Sequence, residues 1–364
     1  MITYLKNHAT QLVLVALVVA GALFGILPDA LANGGLSPEH GLGLAAMAGV
    51  IARAPTVAPF PTDPVQTGIA IAYRNEKLIA DEVMPIVTVG MQEFRYRKYA
   101  LKDAFSVPDT KVGRRSRTNS VEFGSTEEVG LTHDHGLQAP IPLADIQNAP
   151  PGYNPVSHHT MLLTDLVMLG REKRTADIVF GAANYATANK TTLTSDDRWS
   201  QAASTPIADI EEAKDALIMR PNIAVMGRQT WRYLSQHPDI LKALNKNDGD
   251  TGIARRSEVA ALFELDDLYV GEGWLNIAKP GQDADMVRVW GAHCALLHRN
   301  RLANTQGGTT YGFTARWGTW FAGNWFDKDQ GLRGSQIVRV GESTEQVITA
   351  PDLGFLFVNA GDDA

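Results

Sequence analysis

The side chains best suited to chemistry are few and scattered. His133, Asp134 and His135 are consecutive, and on a strand the two imidazoles would share one face, which is how a metal site begins. His158 and His159 open a helical stretch, where neighbouring residues point in different directions. Neither pair is followed by a third ligand at a recognisable spacing, and H-E-x-x-H is absent, so surface or interface histidines are the simpler reading. Cys294 is the one cysteine of the chain and lies in the apolar run CALL, with no histidine identified as its base. A single cysteine also excludes intramolecular disulfides and a multi-thiolate zinc site. Gly307 and Gly308, in NTQGGTTYG, match neither a P-loop nor a dinucleotide fingerprint, and there is no G-x-S-x-G. The expectation is therefore no catalytic constellation, no metal and no cofactor.

The elements that would carry these residues are easier to read. SHHTMLLTDLVMLGREKRTADIVFGAANYA predicts a long helix, about 157–187, with Leu162, Leu166, Leu169, Ala176, Phe180 and Ala183 on the core stripe. On that pattern Asp165, Arg171, Glu172, Arg174 and Asp177 supply surface charge. Further along, STPIADIEEAKDALIM predicts a helix opened by Ser204 and Pro206, and RPNIAVMG a buried strand. RQTWRYLSQHP predicts a helix stopped by Pro238, SEVAALFEL another, and DDLYVGEGWLN, MVRVWGAHCALLHRN, TYGFTARWGTWF, SQIVRVGES and LGFLFVNA predict strands. Trp290, Trp317, Trp320 and Trp325, with Phe313, Phe321 and Phe326, crowd the last quarter and are expected in core and subunit contacts.

Charge is distributed unevenly. The formal net charge of −7 argues against a chain whose main task is coating nucleic acid. Yet between Phe94 and Thr118 stand Arg95, Arg97, Lys98, Lys102, Lys111, Arg114, Arg115 and Arg117 against only Asp103 and Asp109. Alternation about Phe94 and Tyr96 predicts a two-stranded ribbon with its turn near 109–117. A ribbon so basic and so thinly apolar has no core of its own and must lie on something else. At the front, Lys6, the apolar run Leu12–Leu27 and Ala30-Leu31-Ala32 have the pattern of an export signal. A segment removed in maturation, or a start at Met47, fits the same residues. The Pro-rich stretch APTVAPFPTDP that follows predicts an extended arm.

Taken in order, the segments TGIAIAYRNEKLIADEVMPIVTVGMQEFRYRKYALKDAF, PDTKVGRRSR, LLTDLVMLGREKRTADIVF, TPIADIEEAKDALIMRPNIAVMGRQTWRYLSQHPDIL and EVAALFELDDLYVGEGWLN with VWGAHCALL resemble the major capsid proteins of tailed bacteriophages, over about residues 55–360. The resemblance implies an α+β fold of the Hong Kong 97 type. Residues 1–46 depart from the family's pattern, as an apolar segment absent from the mature subunit or a start called too early. The expected parts are an N-terminal arm at 47–80 and a long E-loop with flanking strands at 81–145. A peripheral domain with a spine helix follows at 146–204, an axial domain at 205–300, and C-terminal strands returning to the peripheral domain at 301–364.

The resemblance further implies a structural, non-enzymatic subunit that self-assembles as pentamers and hexamers into an icosahedral shell around double-stranded DNA. Scaffolding, portal and decoration proteins would be its partners, host cytoplasm its place of assembly and the virion its destination, with no membrane in the mature particle. The ribbon cations Arg95, Arg97, Lys98, Arg114, Arg115 and Arg117 are expected to pair with acids of adjacent copies, the candidates being Glu172, Asp177, Glu211, Glu212 and Asp215. An encapsulin-like compartment shell, an exported soluble binding protein and a metal-dependent enzyme built on His133 and His135 are the competing readings.

Overall fold

A computed structural model describes residues 78–99, 107, 109–118, 120, 125–245, 252–279 and 281–362. The apolar run Leu12–Leu27 and the expected arm before Leu78 lie outside them. Among the described residues no helix is long and apolar enough to cross a membrane.

Two sheets organise the chain. The first has four strands, β1 (Ile86–Val89), β11 (Gly312–Asp327), β12 (Ser335–Ile348) and β4 (His133–Pro142), in the order β1-β11-β12-β4. The β11–β12 hairpin pairs Phe313 with Val347 and Trp325 with Ile337, and breaks register between Trp317 and Phe321. Gly318 sits in that break at φ +69°, left-handed backbone that a side chain would oppose. After the short helix α2 (Leu143–Gln147), the long helix α3 (Pro155–Val179) crosses this sheet, burying Leu163 against Ile141, Ala322, Val338 and Val340.

The second sheet is β5 (Lys190–Thr192), β13 (Gly354–Val358), β10 (Cys294–Leu297), β6 (Ile223–Gly227) and β7 (Asp267–Gly271), in that spatial order. Only β10 runs against the rest. One face carries Met226, Leu268, Val270, Cys294, Leu296 and Phe357. It is covered by α4 (Pro206–Ala216), α5 (Arg228–Gln236), α6 (Pro238–Asn245) and α7 (Arg256–Leu262). The other face, with Ile223, Val225, Ala295 and Leu356, meets Val83 and Met84 around α1 (Ala80–Val83) and Ala176 and Val179 at the end of α3. Both faces of β6 are therefore covered, which is why IAVMG reads as an unbroken apolar run.

The helix predicted to about 187 stops at Val179. Asn184 Nδ2 donates to the carbonyl of Ile178, and the Tyr185 hydroxyl donates to that of Val179, so the last carbonyls are satisfied by the turn that follows instead of by more helix. The predicted core stripe is also displaced. Leu162 and Leu166 are 49% and 52% exposed, while Thr160, Leu163, Thr164, Val167, Met168, Arg171, Glu172, Thr175, Ala176 and Val179 face inward. Polar residues belong there because they are paired: Thr160 and Thr164 donate to carbonyls one turn back, at Val156 and Thr160. Arg171 and Glu172 find partners on other elements.

Where β6 passes into α5 the backbone touches another strand. A Cβ at Gly227 would lie 1.9 Å from the carbonyl oxygen of Gly291. The oxygen is main chain and a Cβ is fixed to its own backbone, so neither can swing aside. Gly227→Ala is expected to lower stability by about 1–3 kcal/mol or more, read as a lowered midpoint in urea denaturation.

Candidate assembly interface

The basic ribbon is built from β2 (Glu93–Tyr99) and β3 (Ser125–Leu131), antiparallel, with Arg97 opposite Glu127 and Tyr96 opposite Glu128. Its base rests on its own subunit. Phe94 and Tyr96 are buried against Val89, Phe313, Ala315 and Val347 of the first sheet, and Tyr96 meets Phe313 edge-on at 6.4 Å. Three of the expected interface cations are also engaged within the ribbon. Arg95 lies 3.2 Å and Arg97 3.9 Å from Glu127, and Lys98 lies 2.8 Å from Glu128. The count of eight cations against two acids took in the outgoing strand and its turn, and missed the glutamates on the return strand. Arg114, Arg115 and Arg117 stand apart. They surround the turn closed by Ser116 N–H to the Gly113 carbonyl, are exposed, and have no ion pair among the described residues.

Of the expected acids, Glu172 is displaced from the surface altogether. It is wholly buried. Its Oε2 accepts from Ala80 N–H at 2.7 Å, its Oε1 from Ile79 N–H at 2.9 Å and from the Trp290 indole N–H at 2.6 Å. Burial pushes its carboxyl above the ordinary range, and the N–H donors, which need an acceptor, draw it back down. It closes the interior of its own subunit and offers nothing to a neighbour.

Asp177 is exposed beside Lys173 at 2.5 Å. On α4, Glu211 is 2.7 Å from Lys214, and Glu212 and Asp215 are exposed.

Arg171 continues the same inward arrangement. One guanidinium nitrogen donates to Glu342 on β12 at 2.6 Å and another to Asp81 on α1 at 2.9 Å. Arg316 reaches the same Glu342 oxygen at 3.1 Å. On the far side of α1, Arg301 donates to Glu82 at 2.7 Å and Arg299 to the Glu82 carbonyl. The segment 79–82 is thus held from both sides, by the long helix and by the loop after β10. Sequence reasoning missed this clamp. Its only trace was an Arg-Glu pair in the middle of a helix whose neighbours are mostly apolar.

His133 and His135 lie on β4, and burial lowers the imidazole of His135, with Arg174 and His133 adding to the effect. Among the described residues no group of three His, Cys, Asp or Glu side chains is placed to hold a metal. Cys294 is buried in the centre of the second sheet, and burial pushes its thiol upward, away from the thiolate a nucleophile requires. Trp290 is core, while Trp320 lies beside the guanidinium groups of Arg171 and Arg316.

The arrangement has known counterparts. The structure superposes on a phage-related protein from Bordetella bronchiseptica RB50 with a TM-score of 0.67 at 21% identity, covering 84% of this chain and 100% of that one. It also superposes on the capsid structure of Cyanophage P-SCSP1u with a TM-score of 0.53 at 10% identity, covering 84% and 91%. Two sheets bridged by a long helix, in this α+β arrangement, make the fold that of a Hong Kong 97-type capsid subunit. In sequence, residues 179–272 match the family described as phage major capsid protein E. The chain is 52% identical over 303 residues to the major capsid protein of Pseudomonas phage JBD67, covering 83% of this chain and 98% of that protein. The chain belongs to the phage major capsid protein family, whose members are structural proteins of the virion and not a class of enzyme.

Two outcomes test the geometry. Glu172→Ala strands three buried N–H donors and is expected to cost about 3–5 kcal/mol in urea denaturation, with Glu172→Gln intermediate because the amide keeps one acceptor. In the ribbon, hydrogen bonds from Lys98 and then Tyr96 hold the Glu128 carboxyl below its ordinary value. A group depressed on folding adds stability above the ordinary carboxylate range and loses it as pH falls through the folded value. Corrected amide exchange in 93–99 and 125–131 is therefore expected to quicken between about pH 5 and about pH 3 in the wild type, and less so in Glu128→Gln.

Proposed function

We propose that this chain is the shell-forming subunit of a phage head, self-associating as pentamers and hexamers that tile an icosahedral shell around double-stranded DNA. The observation that carries the reading is the 52% identity to a phage major capsid protein over 98% of that protein's length. The same reading divides the chain into an arm at 47–80, an E-loop at 81–145, a peripheral domain at 146–204 joined by the strands of 301–364, and an axial domain at 205–300. Assembly takes place in the host cytoplasm, with scaffolding, portal and decoration proteins as partners.

The ribbon then works in two parts. Its base is fixed on its own subunit through Phe94 and Tyr96, and its turn carries Arg114, Arg115 and Arg117 to the acids of an adjacent copy. Asp177 on the long helix, and Glu211, Glu212 and Asp215 on α4, are the exposed candidates. Each such pair contributes about 0–1 kcal/mol, so register comes from repetition over many copies and not from any one pair.

Light scattering and negative-stain microscopy of the full-length chain, expressed alone and with its neighbouring phage genes, test the proposal. Closed shells, or discrete pentamers and hexamers, are expected. A folded monomer that stays monomeric at high concentration under both conditions overturns it.

A further inference from the structure

Beyond β7, the strands β8 (Trp274–Asn276) and β9 (Met286–Arg288) form a short ribbon with Trp274 opposite Arg288. Between it and α5 lies a cleft of about 600 Å³, lined by Arg228, Gln229, Arg232, Trp274, Met286 and Arg288. The Arg288 guanidinium stacks 3.8 Å from the Trp274 ring and donates to the Glu272 carbonyl at 2.7 Å. Two carboxylates stand near these cations: Asp165 of α3 lines the adjoining cleft with Trp274 and Arg288, and Glu272 is already shared, 2.7 Å from Arg256 and 3.9 Å from Arg228. Asp283 and Asp285 belong to the far turn of the ribbon. Arg232 is one helical turn from Arg228, exposed, and packed only over Tyr233 at 4.6 Å. The rim is apolar, with Trp274 47% and Met286 50% exposed. Arginine set among exposed Trp and Met is the composition of a protein interface core.

The opposite edge of the same sheet carries the complementary charge. Asp196 and Asp197 form the turn that follows β5, and Asp209 and Glu212 lie three residues apart on one face of α4. These acids are close in space. The Asp209 carboxyl, which accepts from the Trp199 indole at 2.9 Å, is raised by burial and raised further by Asp197 and Glu212. The nearby cation Arg198 is taken by Asp362 at 2.9 Å. Asp196, Asp197 and Glu212 are exposed.

β5, β6 and β7 run parallel, so the turn after β5 and the starts of α5 and of the loop after β7 lie at the same end of the sheet. β5 and β7 are the two edge strands and β6 lies next to β7, so the turn after β5 is three to four strand spacings, about 14–19 Å, from the other two. Complementary patches on opposite edges cannot satisfy each other within one subunit, nor can either pair with itself across a two-fold axis. They fit a head-to-tail contact, which closes into a ring when repeated.

Resting on the shell reading above, whose pentamers and hexamers are rings, we propose which two patches make the joint. The cleft of Arg228, Arg232 and Arg288 on one copy receives the patch of Asp197, Asp209 and Glu212 on the next. A second copy is favoured over nucleic acid because the matching acidic patch is on the same molecule and the cleft rim is Trp and Met.

A charge swap on the full-length chain tests the pairing, because neither Arg232 nor Glu212 holds a contact that its own fold needs. Arg232→Glu and Glu212→Arg are each expected to weaken association about tenfold or more in sedimentation velocity, and the double variant to recover it. Circular dichroism melts confirm that each variant is folded. The pairing is wrong if both single variants assemble like the wild type, or if the double variant is no better than either. If Arg232→Glu assembles normally but retains less nucleic acid by its absorbance ratio, the cleft serves nucleic acid and the proposal falls. A wild-type chain that does not assemble, alone or with its neighbouring phage genes, sinks the shell reading, and this pairing with it.

Discussion

The long helix α3 carries an arginine and a glutamate side by side into the interior, and the two sheets are joined through them. Arg171 reaches Glu342 on the first sheet and Asp81 on α1, while Glu172 reaches Ile79, Ala80 and Trp290 on the side of the second sheet. A buried ion pair is poor value as raw stability, since two apolar residues could fill the same space without desolvating charge. What it supplies is geometry. An apolar contact tolerates sliding, but a carboxylate that must accept from three fixed N–H groups has one acceptable position. The helix is thereby locked in register against both sheets, and the segment from Ile79 to Glu82 is held at a fixed place between them.

The ribbon follows the opposite logic along its own length. Near the body it is satisfied: Phe94 and Tyr96 are buried on the first sheet, and Arg95, Arg97 and Lys98 face Glu127 and Glu128 across the strands. At the turn that satisfaction ends, and Arg114, Arg115 and Arg117 carry charge without a partner among the described residues. A segment made only of paired residues would have no use beyond its own subunit, and one made only of unpaired cations would not hold a shape. Among the described residues, then, the base is held by pairing and by burial, and the turn by neither.

Much of this was legible in the sequence, and what was missed shares one cause. IAVMG read as a buried strand because both its faces are apolar, and RQTWRYLSQHP stopped where Pro238 could not continue the helix. Periodicity failed on α3, where it placed Leu162 and Leu166 inside and Glu172 outside. Hydrophobic spacing assumes that charge marks the surface, and here the charges are inside because each has a partner more than ninety positions away in sequence, as Glu172 has at Ile79. The ribbon glutamates were missed for a related reason: the acids that neutralise Arg95 and Lys98 stand on the returning strand, about thirty positions on, where a local count of charge cannot see them. Pairing across the chain is the information that one-dimensional pattern lacks.

The same distinction separates what folds the subunit from what its surface leaves open. Charges that complete the fold are buried, multiply bonded and matched within the chain, and changing one would strand its partners in a dry interior. The cations of the ribbon turn, and Arg232 in the cleft beside α5, are solvated, so no one of them is costly to leave alone in the free subunit. A subunit built this way can be stable before it meets another copy, yet carry surface charge whose full pairing needs one. Weak contacts suit the proposed ring better than strong ones would. Joints of small individual energy can break and re-form until the ring closes, whereas a clamp as demanding as that of Glu172, placed between subunits, would freeze whatever arrangement formed first.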